Sequence, residues 1–191
     1  RTPLLVCCFA ILSPFFVLLG VIIKLDSSGP IFIALTRVGQ RGKLFKLYKF
    51  RSMVKNAEQL KKDLIAQNER KDGPLFKMKN DPRVTRLGRF IRRYSIDELP
   101  QLLNVFKGQM SLVGPRPHQP DEVSQYDYNQ IELLFIKPGM TGLAQVSGRS
   151  GLSFGEEVRL DLFYVHQWSI WLDLKILLKT IVVVLSSKHS C

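Results

Sequence analysis

Residues Pro3 to Ile23 read PLLVCCFAILSPFFVLLGVII, a stretch of 21 residues with one hydroxyl and no charge. Such a stretch is long enough to reach across about 30 Å of hydrocarbon, so the chain must either meet a membrane or bury an all-apolar helix. Ser13-Pro14 stands at its middle. A proline inside a helix lacks an N–H, and its ring meets the carbonyl four residues earlier, here Ala10, so a helix must bend there. The Ser13 hydroxyl can take up a freed carbonyl. Arg1 and Lys24 flank the two ends. A spanning helix keeps its cations at the cytoplasmic end, so cations at both ends predict a helix-break-helix over residues 1–25 that enters and leaves on one face. The alternative is a kinked transmembrane helix. The stretch is no signal peptide, because its apolar core is too long and no small-residue cleavage site follows. The other apolar run, Ile176–Leu185, is too short to span and contains Lys179 and Thr180. The chain opens on Arg1 rather than Met, directly before the apolar run, so the C-terminal part of a longer protein is expected.

The remaining residues, 26–191, suffice for one domain with its own core. The net charge is +12, and it is concentrated. Between Arg37 and Arg93 there are 18 Lys and Arg against 5 Asp and Glu, while the rest of the chain is nearly neutral. That points to a polyanionic partner: an anionic membrane surface, phosphorylated substrates or nucleic acid. Cys7 and Cys8 lie inside the apolar run and Cys191 ends the chain. This set makes neither a disulfide framework nor a metal site, and it fits a reducing compartment. His118, His166 and His189 are scattered and read as surface or satisfied core residues.

The pattern predicts an α+β fold. Asp26-Ser27-Ser28-Gly29-Pro30 is a turn cluster. Ile31–Arg37 and Leu44–Met53 read as two strands of a hairpin across Gly39-Gln40-Arg41-Gly42, edged with Arg37, Arg41, Lys43, Lys46, Lys49 and Arg51. Lys55–Asn68 is a helix candidate, broken by Lys71-Asp72-Gly73-Pro74. Arg83–Arg93 places Val84, Leu87 and Ile91 at helical spacing among five arginines, a basic amphipathic helix. It is either a solvated face or a contact for phosphate or lipid headgroups. Asp97–Lys107 reads as a helix with Leu99, Leu102, Leu103 and Phe106 on one face and Gly108 as its stop. Glu156–His166 and Leu172–Leu185 also read as helices.

Walker, dinucleotide-binding, nucleophile-elbow, zincin, EF-hand and zinc-finger motifs are absent from the sequence. What stands out is Arg92-Arg93-Tyr94-Ser95-Ile96-Asp97-Glu98-Leu99-Pro100: adjacent carboxylates at a helix start, just after an arginine cluster. One reading is structural, since Ser95-x-x-Glu98 matches a capping box and acids suit a helix N-terminus. The other is chemical. A helix N-terminus and guanidinium groups bind phosphate and keep a carboxylate ionised. One acid can then attack phosphorus while its neighbour holds a divalent cation. In Gly114-Pro115-Arg116-Pro117 an arginine is held between prolines, so its guanidinium loses little entropy on meeting a phosphate or a base; alone it also reads as an ordinary turn.

Three blocks carry a resemblance. KFRSM (Lys49–Met53), DPRVTRLGRFIRRYSIDELPQLLNVFKGQMSLVGPRP (Asp81–Pro117) and KPGMTGLAQVSGR (Lys137–Arg149) closely resemble the bacterial sugar transferases. These are the monotopic polyprenol-phosphate phosphoglycosyl transferases that begin capsule, O-antigen and exopolysaccharide synthesis. The resemblance covers nearly the whole chain, and the apolar start with Ser13-Pro14 looks like the family's re-entrant membrane helix. It implies that Asp97 is the nucleophile, forming a phosphosugar-enzyme intermediate with release of UMP, and that Glu98 is the Mg2+ ligand beside it. Lys49, Arg51 and Arg92 look like phosphate-binding residues, and Pro115-Arg116-Pro117 looks like the nucleotide-side loop. Gln109 and Phe106 stand where the family usually has Asp and Leu. The ending Gly148–Thr180, with its LSFGEEVRLDLFYVHQWSIWLDLKILLKT, looks like the long members, which carry an extra N-terminal membrane bundle and soluble domain. Those members mostly transfer glucose- or galactose-phosphate.

The expected partners are a UDP-sugar (UDP-glucose or UDP-galactose), polyprenyl (undecaprenyl) phosphate and membrane lipids, with a homodimer among the assemblies open to it. The expected location is the cytoplasmic face of the bacterial inner membrane. The rival reading is a non-catalytic basic module on a membrane surface. Nucleic acid is not an expected partner, because a polyanion binder gains nothing from Asp97-Glu98 inside its most basic region.

Overall fold

Helical backbone runs unbroken from Thr2 to Asp26 (α1), with Pro14 inside it, in the computed structural model, which describes residues 2–76, 78–148 and 151–186, with side chains from Ser13 onward. The expected interruption at Ser13-Pro14 is thus not an end of helical structure: losing one N–H and displacing one carbonyl bends a helix without stopping it. Arg1, Arg149, His189 and Cys191 lie outside the described residues, as do the side chains of Cys7 and Cys8. Among the described residues, no helix is long and apolar enough to cross a membrane.

Two strands follow α1, β1 (Phe32–Val38) and β2 (Leu44–Phe50), paired antiparallel from Phe32 opposite Phe50 to Val38 opposite Leu44. Alternation along β2 buries Phe45 and Leu47 with Met110 on one face, and Phe50, at the strand's end, is buried on the other. Phe50 joins Leu19 and Ile23 of α1 and Ile91 of α3 (Arg86–Arg93) in one apolar cluster. Phe16 meets the Phe50 ring edge-on at 5.1 Å, and Phe32 stacks on it at 4.9 Å. Each fully buried side chain of this size contributes about 1.5–3 kcal/mol, so the second half of α1 is fastened to the domain. Thr85 caps α3 by accepting the Gly88 N–H. The expected helix over Lys55–Asn68 appears as α2 (Ala57–Leu64) continued by a 3-10 turn, Ile65–Gln67.

The expected single helix over Asp97–Lys107 is two pieces. Residues Ile96–Gln101 form a 3-10 helix, and only Leu102–Phe106 (α4) is α-helical. Pro100 is the cause: it has no N–H for the Ile96 carbonyl, and its ring crowds that carbonyl and the residue before it. β3 (Ser111–Val113) then pairs in parallel with β4 (Gly139–Thr141). Between them lies the short α5 (Pro120–Val123), and after them α6 (Leu143–Ser147), α7 (Phe154–His166) and α8 (Ile170–Ser186). Val113, Val146, Tyr164 and Ile176 make their shared core.

Asn104 joins the hairpin to the acid-bearing segment. It is fully buried, its Oδ1 accepts the Tyr48 N–H at 3.1 Å, and its Nδ2 donates to the Lys46 carbonyl at 2.7 Å and to Gln109 Oε1 at 2.9 Å. Its side-chain amide takes the place of a third strand along β2. Replacing it leaves a buried N–H and a buried C=O without partners, each worth roughly 1–3 kcal/mol. Asn104→Leu should therefore cost about 2–4 kcal/mol, read as a lowered midpoint in urea denaturation against the parent chain; an unchanged midpoint would show that the amide is dispensable.

Candidate active site

Tyr94 and Ser95 turn the chain out of α3 and into the 3-10 helix. Ser95 does so in a left-handed conformation (φ 54°, ψ 22°), and its hydroxyl makes no cap hydrogen bond. The capping box expected for Ser95-x-x-Glu98 does not form; among the described residues that motif closes at Ser153 and Glu156, at the start of α7. The Glu98 carboxylate is bonded elsewhere. Lys49, reaching from β2, puts its Nζ 2.6 Å from Glu98 Oε1 and 3.7 Å from Asp97 Oδ2. Asp97 is 5% exposed.

Burial and the neighbouring Glu98 charge push the Asp97 carboxyl up, against the pull of Lys49, Arg92 and Arg116. Burial resists ionisation of Glu98 as well, but Lys49, Arg116 and Arg92 outweigh it and hold that carboxyl below the usual range. The opposite shifts of the adjacent acids follow from their contacts, since Lys49 stands closer to Glu98 than to Asp97.

Both acids open onto a cavity of about 610 Å³. Of the residues the sequence singled out, Lys49, Arg92, Asp97, Glu98, Arg116 and Pro117 line it. Pro115 lines a small pocket behind the loop, where its carbonyl accepts the Gly139 N–H at 2.8 Å. Arg51 is not in the site. It is buried and donates to the carbonyls of Ile23 at 3.1 Å and Ser27 at 2.5 Å, closing the C-terminal end of α1. The strand expected over Leu44–Met53 ends at Phe50, so Arg51 lies beyond it, beside the end of α1. Ser13 and Pro14 lie in α1, outside the cavity.

Two segments hold the Arg116 loop. The Ser111 N–H donates to Pro138 at 2.8 Å, and the Gly114 N–H donates to Thr141 at 2.9 Å. The approach is so close that a Cβ at Gly139 would stand 2.1 Å from the Gly114 nitrogen, which explains glycine at both positions. On the far side, the segment through Arg70, Leu75 and Phe76 borders the cavity. Arg70 is fixed there by Glu157 at 3.1 Å and the Leu152 carbonyl at 3.2 Å.

Sequence reasoning missed Arg70, His118, Glu122, Gln145, Glu157 and Asp161, and placed Arg37 only on the hairpin edge; all line the cavity. Asp161 had a readable signal. Phe154, Val158, Asp161 and Tyr164 are the buried residues of α7, so an acid occupies a position where helical spacing calls for an apolar residue. Burial pushes its carboxyl up to about 7, although the backbone N–H groups of Arg116 and Ala144 favour its charged form. His118 is pushed down to about 3 by burial and by Arg116, Arg37 and Arg70, so it is neutral.

Among the described residues, no group of three or more His, Cys, Asp or Glu side chains is placed to hold a metal ion. Asp97 and Glu98 alone suit a hard cation such as Mg2+, which takes one or two carboxylates and completes its shell with substrate phosphate and water.

A pH test follows from Asp161. Its folded value, about 7, lies above the ordinary 3.8, so the folded state holds the proton more tightly. The contribution it makes to stability is complete below the ordinary value and is lost as pH rises through the folded one. Asp161→Asn cannot ionise. In thermal melts between pH 4 and 7, the wild type should lose stability relative to this variant; parallel curves would place the Asp161 carboxyl in the ordinary range.

The family model described as bacterial sugar transferase matches residues 3–187. The chain is 52% identical, over 82% of its length and 35% of the relative's, to the galactosyl transferase CpsE of Streptococcus agalactiae serotype III. It is 48% identical to the undecaprenyl-phosphate galactose phosphotransferase of Salmonella typhimurium, over 97% of this chain and 40% of that one. It is 44% identical to the undecaprenyl-phosphate glucose phosphotransferase of Komagataeibacter xylinus, over 89% of this chain and 32% of that one. The chain thus spans about a third to two fifths of the length of these relatives. With a family match over almost every residue and a cavity built from the blocks that define the resemblance, the chain belongs to the bacterial sugar transferase family.

Proposed function

We propose that this chain carries the catalytic site of a phosphoglycosyl transferase, which moves a sugar-1-phosphate from a UDP-sugar onto polyprenyl phosphate. The observation that carries this reading is the Asp97-Glu98 pair facing a cavity together with Lys49, Arg92 and Arg116. In this reading an ionised Asp97 oxygen attacks the phosphorus that bears the sugar. The bond from that phosphorus to the bridging oxygen breaks, and UMP leaves with the electron pair. A polyprenyl phosphate oxygen then attacks the same phosphorus and releases the Asp97 carboxylate, giving polyprenyl-diphosphate-sugar. Arg92 and Arg116 bind and orient the diphosphate. Lys49 keeps Glu98 charged and restrains the second acid beside it. Glu98, with Asp97, would hold Mg2+, which when bound supplies neutralisation of the diphosphate charge. The names of the relatives, galactose and glucose phosphotransferases, favour UDP-galactose or UDP-glucose as donor.

The membrane reading rests on α1. Its Val17, Leu18, Val21 and Leu25 are exposed while Leu19 and Ile23 pack on the domain. Phe90 of α3 and Phe106 of α4 are exposed as well. An apolar surface beside a strongly basic one suits an anionic leaflet. With Pro14 central, each arm of the apolar run has about ten residues, roughly 15 Å at the helical rise. That depth reaches mid-bilayer, so α1 bends and returns to the face on which the lipid phosphate lies, the cytoplasmic face of the bacterial inner membrane.

Release of UMP from a panel of UDP-sugars, with undecaprenyl phosphate and Mg2+, tests the reaction. UDP-galactose or UDP-glucose should give the highest rate, and exclusive use of UDP-N-acetylhexosamines would overturn the donor assignment. Asp97→Asn should lower turnover by about a thousandfold or more, since an amide cannot form the acyl-phosphate. Glu98→Gln should also be severely impaired. Intact-protein mass after incubation with UDP-sugar alone should show one added phosphosugar in wild type and none in Asp97→Asn; a fully active Asp97→Asn removes that residue as nucleophile.

Topology has its own test. In a cysteine-free background, Thr2→Cys and Ser27→Cys should each be labelled only from the cytoplasmic side. Labelling of the residue-2 thiol from the periplasmic side would make α1 a kinked spanning helix.

A further inference from the structure

Three buried side-chain atoms around the cavity find no hydrogen-bond partner in the protein: His118 Nε2, Gln145 Oε1 and Asp161 Oδ1. Buried polar atoms are almost always paired, so a lone one asks for an explanation, and here all three border one space. The fold brings them together. Asp161 receives the backbone N–H groups of Arg116 and Ala144, and these residues stand two before His118 and one before Gln145. His118 also packs beside Phe154 on α7, with ring centres 6.2 Å apart.

Their chemistry is specific. Tyr126 contacts His118 Nδ1 through its hydroxyl, and burial raises the phenol above its ordinary range, so it stays protonated. That contact is open to either tautomer, so His118 Nε2 needs an acceptor in one and a donor in the other. Gln145 Oε1 needs a donor, and the Asp161 carboxyl accepts when ionised and can donate when it holds its proton. Phosphate offers acceptors only, so it cannot satisfy Gln145 Oε1. A hydroxyl both donates and accepts, and neighbouring hydroxyls on one ring can satisfy all three atoms together. Lys49 and Arg92 act on the acid pair, Arg37 and Arg70 act on His118, and Arg116 acts on Asp97, His118 and Asp161.

We propose that His118, Gln145 and Asp161 form a subsite for the neutral, hydroxyl-bearing ring of the donor, its hexose or its ribose. This inference rests on the transferase reading above. Gln145→Leu is the sharpest probe, because the acceptor it deletes bonds nothing in the fold; His118→Phe deletes the unpaired ring nitrogen. Asp161→Asn also touches the Arg116 loop, so melting temperature is measured for each variant.

The experiment measures Kd for UDP, UDP-glucose and UDP-galactose by titration calorimetry in lipid nanodiscs, with Asp97→Asn added to every chain so that the donor is not consumed. UMP release is measured alongside on the chains that keep Asp97. In folded Gln145→Leu and His118→Phe, affinity for the preferred UDP-hexose should fall roughly tenfold, the scale of one unpaired buried hydrogen bond. A fall confined to the UDP-hexose, with UDP unchanged, assigns the hexose. An equal fall for UDP assigns the ribose. UDP-hexose binding within twofold of Asp97→Asn alone in both folded variants overturns the subsite while the transferase reading stands. Absence of both UDP-hexose binding by Asp97→Asn and UMP release by wild type overturns both.

Discussion

The side-chain amide of Asn104 fixes the relation on which the site depends. A two-stranded ribbon is marginal in water, and β2 has an outer edge with unpaired backbone groups. Asn104 satisfies that edge at Tyr48 and Lys46 from a position just after the acid pair. Its own carbonyl accepts the N–H groups of Gln109 and Met110. The hairpin and the acid-bearing segment are thereby registered against each other, and Lys49, one residue beyond Tyr48, meets Glu98 at 2.6 Å. Both ends of the contact are set by backbone recognition rather than by the ion pair itself. This matters because a partly exposed ion pair contributes little to stability and could not position the two elements alone.

Much of this was legible in the sequence. The hairpin, the amphipathic α3 and the later helices follow from periodicity, and each appears within a few residues of its expected bounds. The acid pair, Arg92, Arg116 and Lys49 were named from the sequence and line one cavity. The failures share a physical cause: local rules were overridden by contacts distant in sequence. Ser95 and Glu98 have the spacing of a capping box, yet Ser95 sits in the left-handed region and Lys49, 49 residues away, takes the Glu98 carboxylate. Arg51 belongs to a block that carries the resemblance, yet the end of α1 lies beside it and takes its guanidinium. His118 stands in a loop and Gln145 in the five-residue α6, too short for periodicity to mark it, and only the three-dimensional seam shows that they share a cavity with Asp161.

That seam joins the two loops of the resemblance. Gly114, Gly139 and Gly142 approach one another backbone to backbone; a Cβ at Gly142 would lie 2.3 Å from the Gly114 carbonyl oxygen. Contacts this close use main-chain groups whose geometry is nearly invariant, so the Arg116 loop inherits rigidity from β3 and β4 although each strand has only three residues. The prolines on either side of Arg116 restrict the same segment from within. Both constraints bear on the backbone, leaving the guanidinium exposed while its Cα is held.

The electrostatics explain why the basic stretch and the acid pair belong together. Two adjacent carboxylates in a partly buried site repel each other and lose hydration, and the fold answers with Lys49 in contact and Arg92 and Arg116 in reach. A polyphosphate entering such a site meets guanidinium groups already paid for by the acids' own need of counter-charge. The acids in turn limit how much anion the cations can hold. A purely basic surface would lack that restraint. The same pair of carboxylates that could attack phosphorus thus also offsets the charge of the cations around it.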